Sequence, residues 1–307
     1  MDEASSSRSN GNSSRRWRRV CLSLFTSRQM DYRRQPRRRW RHVGDVDVVN
    51  MRLKGKTYVV TGAAGGIGQG IAEALLADGA NIVLTDVDEK RTSAVRNAVD
   101  PSGERTLAIE ADLADSGKAE ELAESALRRF KSLDGLVNNA GIIVMDTAWD
   151  ATSMDWTRQL DINVTASFAM AQAVGRHLRN SGGGSIVNVA SNCGKVGYNN
   201  MAAYNASKAA VISLTRSLAA EWARDNINVN AVCPGAVDTP MLGAVAKWLE
   251  PVINQPASEI LAGMSAAQLG RKIRPIEVGR VIAFLLSDDA VIIRGQSINV
   301  DGGDTPY

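Results

Sequence analysis

The stretch TYVVTGAAGGIGQG, residues 57–70, decides the fold class because a strand pattern runs directly into a glycine-rich turn. Residues 57–61 form a short β-branched run, which is typical of a buried strand. A helical spacing of apolar residues follows over 68–79 and ends at a glycine. The stretch therefore predicts a strand, a tight turn and a helix in succession.

Three glycines of this turn suit a loop that binds a dinucleotide. Gly62 permits the tight turn, Gly66 lets the backbone approach a pyrophosphate, and Gly68 lets the helix pack close to the sheet. The start of the helix adds free N–H groups and the positive end of its dipole. A glycine cluster alone also suits an ordinary strand–helix turn, so the interpretation needs support from its surroundings.

The next strand pattern supplies that support. Residues 81–85 read as a second buried strand, and Asp86 follows it. A carboxylate there accepts hydrogen bonds from both hydroxyls of an adenosine ribose and repels a 2′-phosphate. No Arg or Lys occupies 62–70 to receive such a phosphate. The expected cofactor is therefore NAD rather than NADP; the alternative is that Asp86 is only a surface turn residue.

Strand and helix patterns alternate along the rest of the chain. This alternation predicts βαβ units in a parallel sheet, with helices on both faces because crossovers are right-handed. The expected fold class is α/β, a single-domain, Rossmann-like, doubly wound sheet. The predicted strands are 57–61, 81–85, 106–110, 133–138, 185–190, 227–232 and 297–300, and the predicted helices are 68–79, 88–99, 116–130, 154–179, 202–224 and 275–287.

Tyr204 and Lys208 lie four residues apart on a predicted helix and therefore share one face. A phenol with a pKa of ~10 is a poor base at neutral pH, but a nearby ammonium favours the phenolate and lowers that pKa. Tyr204 then serves as general base toward an alcohol or general acid toward a ketone. Ser191, at the preceding strand end, holds the reacting oxygen. Alone, such a pair is usually a solvated helix face; beside a dinucleotide loop it indicates oxidoreductase chemistry.

Eight motifs in order make residues 51–303 resemble the short-chain dehydrogenase/reductase family, and within it the polyol and sugar-alcohol dehydrogenases and the 3-oxoacyl reductases. Two departures are Ala166, where the family often has Gly, and Arg294, which replaces a small hydroxyl residue. The motifs are TGAAGGIG at 61–68, Asp112-Leu113, NNAG at 138–141, Asn163, Ser191, YNASK at 204–208, PGAVDT at 234–239 and VDGG at 300–303.

The resemblance implies a role for each motif. Tyr204 is the expected acid/base, Ser191 orients the substrate oxygen, and Lys208 binds the nicotinamide ribose and lowers the pKa of Tyr204. Asn163 is expected to help hold a water relay behind Lys208. No metal site is expected. The implied cofactor-binding residues are Gly62, Gly66, Ile67, Gly68, Asp86, Asp112, Leu113, Asn139, Tyr204, Lys208, Pro234, Gly235, Val237 and Thr239.

Residues 1–50 differ in charge from the rest of the chain. They hold twelve Arg, no Lys and five acidic residues, a net charge of +7, whereas residues 51–307 carry −4. We interpret this Arg-rich leader as a disordered segment that is dispensable or not part of the natural protein. A targeting segment and a nucleic-acid-binding arm are the alternatives. The catalytic domain is expected to span 51–307.

Cysteine usage and hydropathy indicate the compartment. Cys21, Cys193 and Cys233 are widely spaced and form neither a metal pair nor a disulfide framework, so a reducing compartment, the cytoplasm, is expected. Cys193 is interpreted as a small residue of the pocket wall. No apolar run approaches the ~18 residues of a membrane span. Binding to membranes or nucleic acids is not expected.

The resemblance implies that the segment at about 241–274 is a substrate lid, which is expected to be mobile. Across from it, Asn192, Cys193 and the polar residues 198–200 suit a small hydroxy or keto compound. An NAD-dependent enzyme favours alcohol oxidation, so a polyol, sugar or small diol is predicted, and reduction of a 3-oxoacyl thioester is the alternative. A different class, a non-catalytic dinucleotide-binding module that docks nucleic acid through its arm, is also considered. The resemblance implies a homotetramer.

Overall fold

A seven-stranded parallel sheet organises residues 51–115 and 117–306, the part of the chain that this computed structural model describes. The strand order is β3-β2-β1-β4-β5-β6-β7, and each neighbouring pair is parallel. The predicted doubly wound α/β fold is therefore confirmed. The predictions for residues 1–50 lie outside the described residues. The strands are β1 Thr57–Thr61, β2 Asn81–Asp86, β3 Thr106–Glu110, β4 Gly135–Asn138, β5 Gly184–Val189, β6 Ile227–Pro234 and β7 Ser297–Val300.

Helices cover both faces of the sheet. Neighbouring residues of a strand point to opposite faces, so Val60 belongs to one apolar core and Val59 to the other. Strands buried on both faces read as continuous apolar runs, which explains why β1 and β2 were recognisable in the sequence. The α-helices are α1 Gly66–Ala77, α2 Glu89–Val99, α3 Lys118–Phe130, α4 Ser153–Leu160, α5 Ala166–Ser181, α6 Ala202–Glu221, α7 Pro240–Ile253, α8 Ala257–Gly263 and α9 Pro275–Leu286.

The helix predicted over 154–179 is interrupted. A π-helical segment, Asp161–Thr165, joins α4 to α5, and Asn163 lies in its middle. Such segments are rare and often mark functional sites because the wider turn redirects a side chain. The Asn163 amide bonds to the backbone outside the helix, as described below. Apolar spacing continues through the segment, so helical periodicity does not signal it.

The segment between β6 and α9 forms α7 and α8, which share a small apolar core of their own. Ala246, Leu249 and Ile260 are buried there, and Met145 from the loop after β4 packs against them. The segment then returns to the end of β6, because Ile273 exchanges backbone hydrogen bonds with Ala236 and Asp238. Among the described residues, no helix combines the length and hydropathy that a membrane crossing requires.

Candidate active site

The predicted site residues meet at the carboxyl edge of the sheet. The strand order reverses between β1 and β4, where crossovers leave a crevice that suits a ligand. The ends of β1, β2, β3, β4, β5 and β6 and the loops after them carry most of the predicted residues, and the π-helical segment and α6 carry the rest. The fold therefore brings together motifs that are separated by up to 177 residues, from Gly62 near the start to Thr239 after β6.

The glycine loop has the close contacts that its sequence predicts. Gly62 has φ +63°, and a Cβ there would lie 2.7 Å from the Cα of Ala140. A Cβ at Gly68 would lie 2.3 Å from the carbonyl oxygen of Gly62. Gly65, which precedes α1, offers no side chain to cap the first N–H groups of the helix. Those N–H groups and the bare loop fit a pyrophosphate.

Thr239 closes the other side of this loop. A Cβ at Gly66 would lie 2.8 Å from its Cγ2, so the loop after β6 approaches the start of α1 directly. The Thr239 hydroxyl accepts a hydrogen bond of 3.3 Å from the N–H of Leu242 and caps α7. The predicted cofactor loop and the glycine loop are therefore neighbours, although the sequence places them far apart.

Asp86 is fixed by two backbone donors. Its Oδ2 accepts a hydrogen bond of 3.1 Å from the N–H of Ala64, and its Oδ1 accepts one of 3.4 Å from that of Asp88. Each oxygen has a further lone pair, which fits the two hydroxyls of a ribose. The structure also places a cation here that the sequence analysis missed. The guanidinium of Arg91, on α2, donates a hydrogen bond of 2.9 Å to the carbonyl oxygen of Ala64.

Two further predicted cofactor residues have structural partners. The Asn139 amide donates to the carbonyl oxygens of Thr61 and Gly62, at 3.1 Å and 2.9 Å, and so holds the turn out of β1. Asp112 accepts a hydrogen bond of 2.9 Å from the N–H of Ala114, and its neighbour Leu113 packs against the core. The contact of Asp112 and Leu113 with an adenine stays a prediction.

Helix α6 presents Tyr204 and Lys208 on one face. The Lys208 Nζ lies 5.7 Å from the centroid of the Tyr204 ring. Lys208 is only 4% exposed, and its Nζ donates a hydrogen bond of 3.0 Å to the carbonyl oxygen of Val189. Ser191, which follows β5 and is also buried, forms a side-chain hydrogen bond with Tyr204. The structure therefore brings the three predicted catalytic side chains together.

Burial sets the proton affinities of this group. It raises the pKa of Tyr204 well above its ordinary value of 10, the charge of a Cys193 thiolate would raise it further, and the Ser191 hydrogen bond lowers it. Burial also lowers the pKa of Lys208 to about 8. The sequence analysis expected the ammonium to lower the pKa of Tyr204. In the structure burial has the largest effect on this pKa, because the ring lies in a water-poor environment.

Asn163 joins α6 to the loop after β4. Its Oδ1 accepts a hydrogen bond of 2.8 Å from the N–H of Ile142, and its Nδ2 donates to the Ile142 carbonyl oxygen and to Ser207 Oγ, at 3.0 Å and 2.9 Å. A Cβ at Gly141 would lie 3.1 Å from Asn163 Oδ1 and 3.2 Å from Lys208 Nζ. The close approach of Asn163 and Lys208 therefore requires the glycine, whose role the sequence analysis missed.

The end of the chain supports the loop after β6. Asp301 accepts hydrogen bonds from the N–H groups of Gly303 and Thr305, at 3.0 Å and 2.9 Å. A Cβ at Gly235 would lie 2.8 Å from the Cβ of Asp301. The motif VDGG, residues 300–303, therefore forms a tight turn on which the loop from Pro234 rests.

The other reactive side chains near this edge have structural contacts. Lys195 Nζ donates a hydrogen bond of 2.7 Å to the carbonyl oxygen of Ser297. The Cys193 thiol is partly buried beside Met201, and burial raises its pKa. Arg294 donates to the Val291 carbonyl oxygen and to Asn226 Oδ1 rather than to a carboxylate. No group of three or more His, Cys, Asp or Glu within 51–115 and 117–306 is placed to hold a metal ion.

Comparisons with known proteins agree with this geometry. A family model described as enoyl-(acyl carrier protein) reductase matches residues 62–305. An NAD-dependent glycerol dehydrogenase of Listeria innocua is 38% identical over 256 residues, which cover 83% of this chain and 96% of the relative. The cis-4-hydroxycyclohexanecarboxylate dehydrogenase of Sinomonas cyclohexanicum is 40% identical over 252 residues, which cover 81% and 96%.

A solved structure has the same architecture. The crystal structure of levodione reductase superimposes with a TM-score of 0.78 at 31% identity, and the match covers 83% of this chain and all of the reductase. The glycine loop, the Ser191–Tyr204–Lys208 group and these matches point to one conclusion. The chain belongs to the short-chain dehydrogenase/reductase family and is an oxidoreductase that uses a nicotinamide dinucleotide.

Proposed function

We propose that the chain interconverts a secondary alcohol and a ketone with NAD, and that its substrate is a polyol, sugar or small diol. A line of polar groups that leads away from Ser191 carries this proposal. Ser191 Oγ donates a hydrogen bond of 3.3 Å to Asn192 Oδ1, and Asn192 Nδ2 donates one of 3.1 Å to the hydroxyl of Tyr198. These groups bond to one another, and a hydroxyl next to the reacting carbon can also bond to their remaining donors and lone pairs, which an alkyl chain cannot do.

The relatives support this substrate class and cofactor. The name of the Listeria innocua relative gives NAD as its cofactor and glycerol as its substrate. The Sinomonas relative is named for a substrate that carries a ring hydroxyl. Asp86 adds a reason from this chain, because its carboxylate repels a 2′-phosphate.

The buried side chains have separate roles in the proposed reaction. When bound, NAD supplies the hydride acceptor. When substrate binds, the Ser191 hydroxyl would turn its single proton from Asn192 Oδ1 to the reacting oxygen, and Tyr204 would take the hydroxyl proton during oxidation or return it during reduction. Lys208, with a pKa lowered to about 8, is poised to exchange protons near neutral pH. Asn163 holds the loop behind Lys208, where we place the end of a water relay.

The residues that would hold the cofactor follow from the loops they form. The glycine loop with Ile67 would hold the pyrophosphate, and Asp86 the adenosine ribose. Asn139 and Asp112–Leu113 would border the adenosine half. The loop from Pro234 to Thr239, with Gly235 and Val237, would hold the carboxamide, and Tyr204 and Lys208 the second ribose.

We further propose that 51–307 is one catalytic domain in which the segment at about 241–274 is a lid. Met241 is 41% exposed at the start of α7, whereas Leu249 is buried against α8. This is the distribution expected of an amphipathic cover. Both ends of the segment are tied to the loop after β6, at Thr239 and through an ion pair of 2.9 Å between Lys272 and Asp238.

A homotetramer is proposed on the apolar surface of α4 and α5, with further contacts from α6 and β7. Met154 and Trp156 on α4 are 75% and 40% exposed, Phe168 on α5 is 40% exposed, and Trp149, in the turn before α4, is 95% exposed. Exposed apolar clusters of this kind usually mark an interface. Light scattering at micromolar concentration is expected to give four times the chain mass; a monomer mass would contradict the proposal.

A cytoplasmic location is proposed because a reducing compartment suits the free thiols of Cys193 and Cys233. Fractionation of cells that express the full chain tests it. Activity should follow the soluble marker enzymes of the cytoplasm. Recovery with an organelle fraction would contradict the proposal.

Reduction of a 3-oxoacyl thioester is the second candidate function. The description of the matching family model, enoyl-(acyl carrier protein) reductase, favours an acyl thioester. Asp86 opposes this candidate if the reductant is NADPH, because its charge repels the 2′-phosphate.

The decisive experiment measures absorbance at 340 nm with NAD, NADP and their reduced forms. The panel contains polyols, sugars, diols, simple secondary alcohols and 3-oxoacyl thioesters. Turnover of NAD with a polyol, at a kcat/KM at least tenfold above that for the matched simple alcohol, is expected, because one unmatched buried hydrogen bond costs about that factor. Turnover restricted to NADPH and an oxoacyl thioester would overturn the proposal and favour the second candidate.

A further inference from the structure

Arg91 and Asp86 hold opposite ends of one residue in the glycine loop. The N–H of Ala64 donates to Asp86 Oδ2 at 3.1 Å, and the Ala64 carbonyl oxygen accepts from Arg91 Nη2 at 2.9 Å. The anion and the cation are therefore separated by a single residue of the loop. The two side chains come from the end of β2 and the first turn of α2, which the fold sets side by side.

The charge of Arg91 is available to a ligand. Within the residues that the structure describes, no carboxylate lies in ion-pair distance of its guanidinium. The side chain is exposed, and a planar guanidinium binds phosphate through two parallel hydrogen bonds. In salt solution, the electrostatic field of a charge is screened over a distance of ~10 Å. The Arg91 charge therefore still acts on a ligand bound beside Asp86.

We propose that Arg91 is a second specificity-determining residue of the cofactor site: it attracts a 2′-phosphate and so limits the preference for NAD over NADP that Asp86 creates. This inference rests on the proposed role of Asp86 as the ligand of the adenosine ribose. Asp86 repels the phosphate and Arg91 attracts it, so the measured preference is the difference between two opposed effects. Removal of Asp86 alone then uncovers a phosphate site that already exists.

The test is a double-mutant cycle on binding, without substrate and without turnover. The dissociation constants of NADH and NADPH are measured by calorimetry for the full chain and for Asp86→Asn, Arg91→Ala and the double variant. Arg91→Ala is expected to raise the dissociation constant of NADPH about tenfold more than that of NADH. A factor of about ten corresponds to the loss of one charge-assisted hydrogen bond. Asp86→Asn is expected to raise the affinity for NADPH about tenfold relative to the affinity for NADH. In the double variant most of this increase in relative affinity is expected to be lost.

Two further variants separate charge from folding. Arg91→Lys keeps the cation but loses the planar fork, so its NADPH affinity is expected to fall between those of Arg91→Ala and the unmodified chain. Arg96→Ala removes a half-buried guanidinium from the same helix, where it bonds to Asn97 Oδ1 at 2.7 Å, and is expected to leave the NADH-to-NADPH ratio unchanged. The difference in NADPH affinity between the unmodified chain and Arg91→Ala is also expected to decrease as the salt concentration rises from about 50 to about 500 mM, because the Debye length becomes shorter.

The outcomes distinguish the two proposals. If Arg91→Ala weakens NADH and NADPH equally, the arginine only holds the Ala64 carbonyl, and the inference is wrong. If Asp86→Asn shifts the ratio while Arg91→Ala does not, the inference about Arg91 fails and the role of Asp86 stands. If neither variant shifts the ratio, the role proposed for Asp86 fails as well.

Discussion

The ammonium of Lys208 donates a hydrogen bond of 3.0 Å to the carbonyl oxygen of Val189, the last residue of β5. The bond ties the middle of α6 to the central sheet and fixes the charge beneath the Tyr204 ring. Lys208 has almost no exposed surface, so little water stabilises its charged form. Burying this cation beside the catalytic tyrosine therefore lowers the stability of the fold, but it places the charge where the proposed chemistry needs it.

We expect Lys208→Met to change how stability depends on pH. Folding lowers the pKa of Lys208 from 10.5 to about 8, so the unfolded chain binds more protons than the folded chain between these values. The contribution of Lys208 to the free energy of unfolding therefore rises as the pH rises through that window. Between pH 7.5 and 10, the free energy of unfolding of the unmodified chain should increase by on the order of 2 kcal/mol relative to that of the variant.

Urea unfolding of both proteins at a series of pH values measures this difference. The exposed Lys54→Met variant serves as control, because its side chain is in water in both states. Its stability relative to the unmodified chain should not change with pH. Parallel pH profiles for Lys208→Met and the unmodified chain would show that burial does not lower the pKa of Lys208.

Tyr204→Phe should abolish turnover and leave NADH binding nearly intact. The ring and its packing remain, and only the proton donor is lost. The expected fall in kcat is at least ~100-fold, as for removal of a general acid or base. Tyr58→Phe is a matched control, because its hydroxyl bonds weakly, at 3.4 Å, to the Leu286 carbonyl oxygen far from the site. More than a few per cent of residual activity in Tyr204→Phe would assign the proton transfer to another group.

The central part of the fold was predictable because its strands are buried on both faces. Such strands read as short apolar runs, and β1, in which all five residues are buried, matches its predicted range, 57–61. Tyr204 and Lys208 were predictable as a pair because helical spacing places them on one face. Their meeting with Ser191 followed from the resemblance rather than from spacing.

Other features depend on packing that no local pattern records. Arg91 meets Ala64 across 27 residues, and the contact arises only when α2 packs beside the glycine loop. The π segment at Asn163 interrupts a helix whose apolar spacing is unbroken. The pKa of Tyr204 was predicted in the wrong direction because desolvation depends on what surrounds the ring after folding.

Asn188→Ala should destabilise the protein without altering the affinity for substrate. Asn188, in β5, accepts a hydrogen bond of 3.0 Å from Asn138 Nδ2 and donates one of 2.9 Å to Thr215 Oγ1, all three being buried. Truncation leaves a cavity, and Asn138 Nδ2 and Thr215 Oγ1 each lose one of their two hydrogen bonds. We expect a loss of about 2–4 kcal/mol. Chemical denaturation measures it, and the exposed Asn97→Ala variant should lose less than about 0.5 kcal/mol.

Gly141→Ala should lower kcat while the protein stays folded. The backbone of Gly141 is not in the left-handed region, so alanine is compatible with its conformation. The new Cβ would lie 3.1 Å from Asn163 Oδ1 and 3.2 Å from Lys208 Nζ, closer than most carbon contacts allow. Because Asn163 is held by three hydrogen bonds, the lysine is the group that must move, and its ammonium would leave its place beneath Tyr204.

We expect kcat to fall about tenfold, the effect of a small misplacement of a catalytic group, and the free energy of unfolding to change by no more than about 1.5 kcal/mol. Gly117→Ala is the matched control, since the nearest atom to its added carbon, Asp115 Oδ1, lies at 3.7 Å, an ordinary contact distance, and it should keep full activity. The pH at which kcat is half-maximal should also shift in Gly141→Ala, because the displaced ammonium meets different solvent. An unchanged kcat and pH profile would mean that Lys208 tolerates a methyl group beside it and that its exact position matters little to proton transfer.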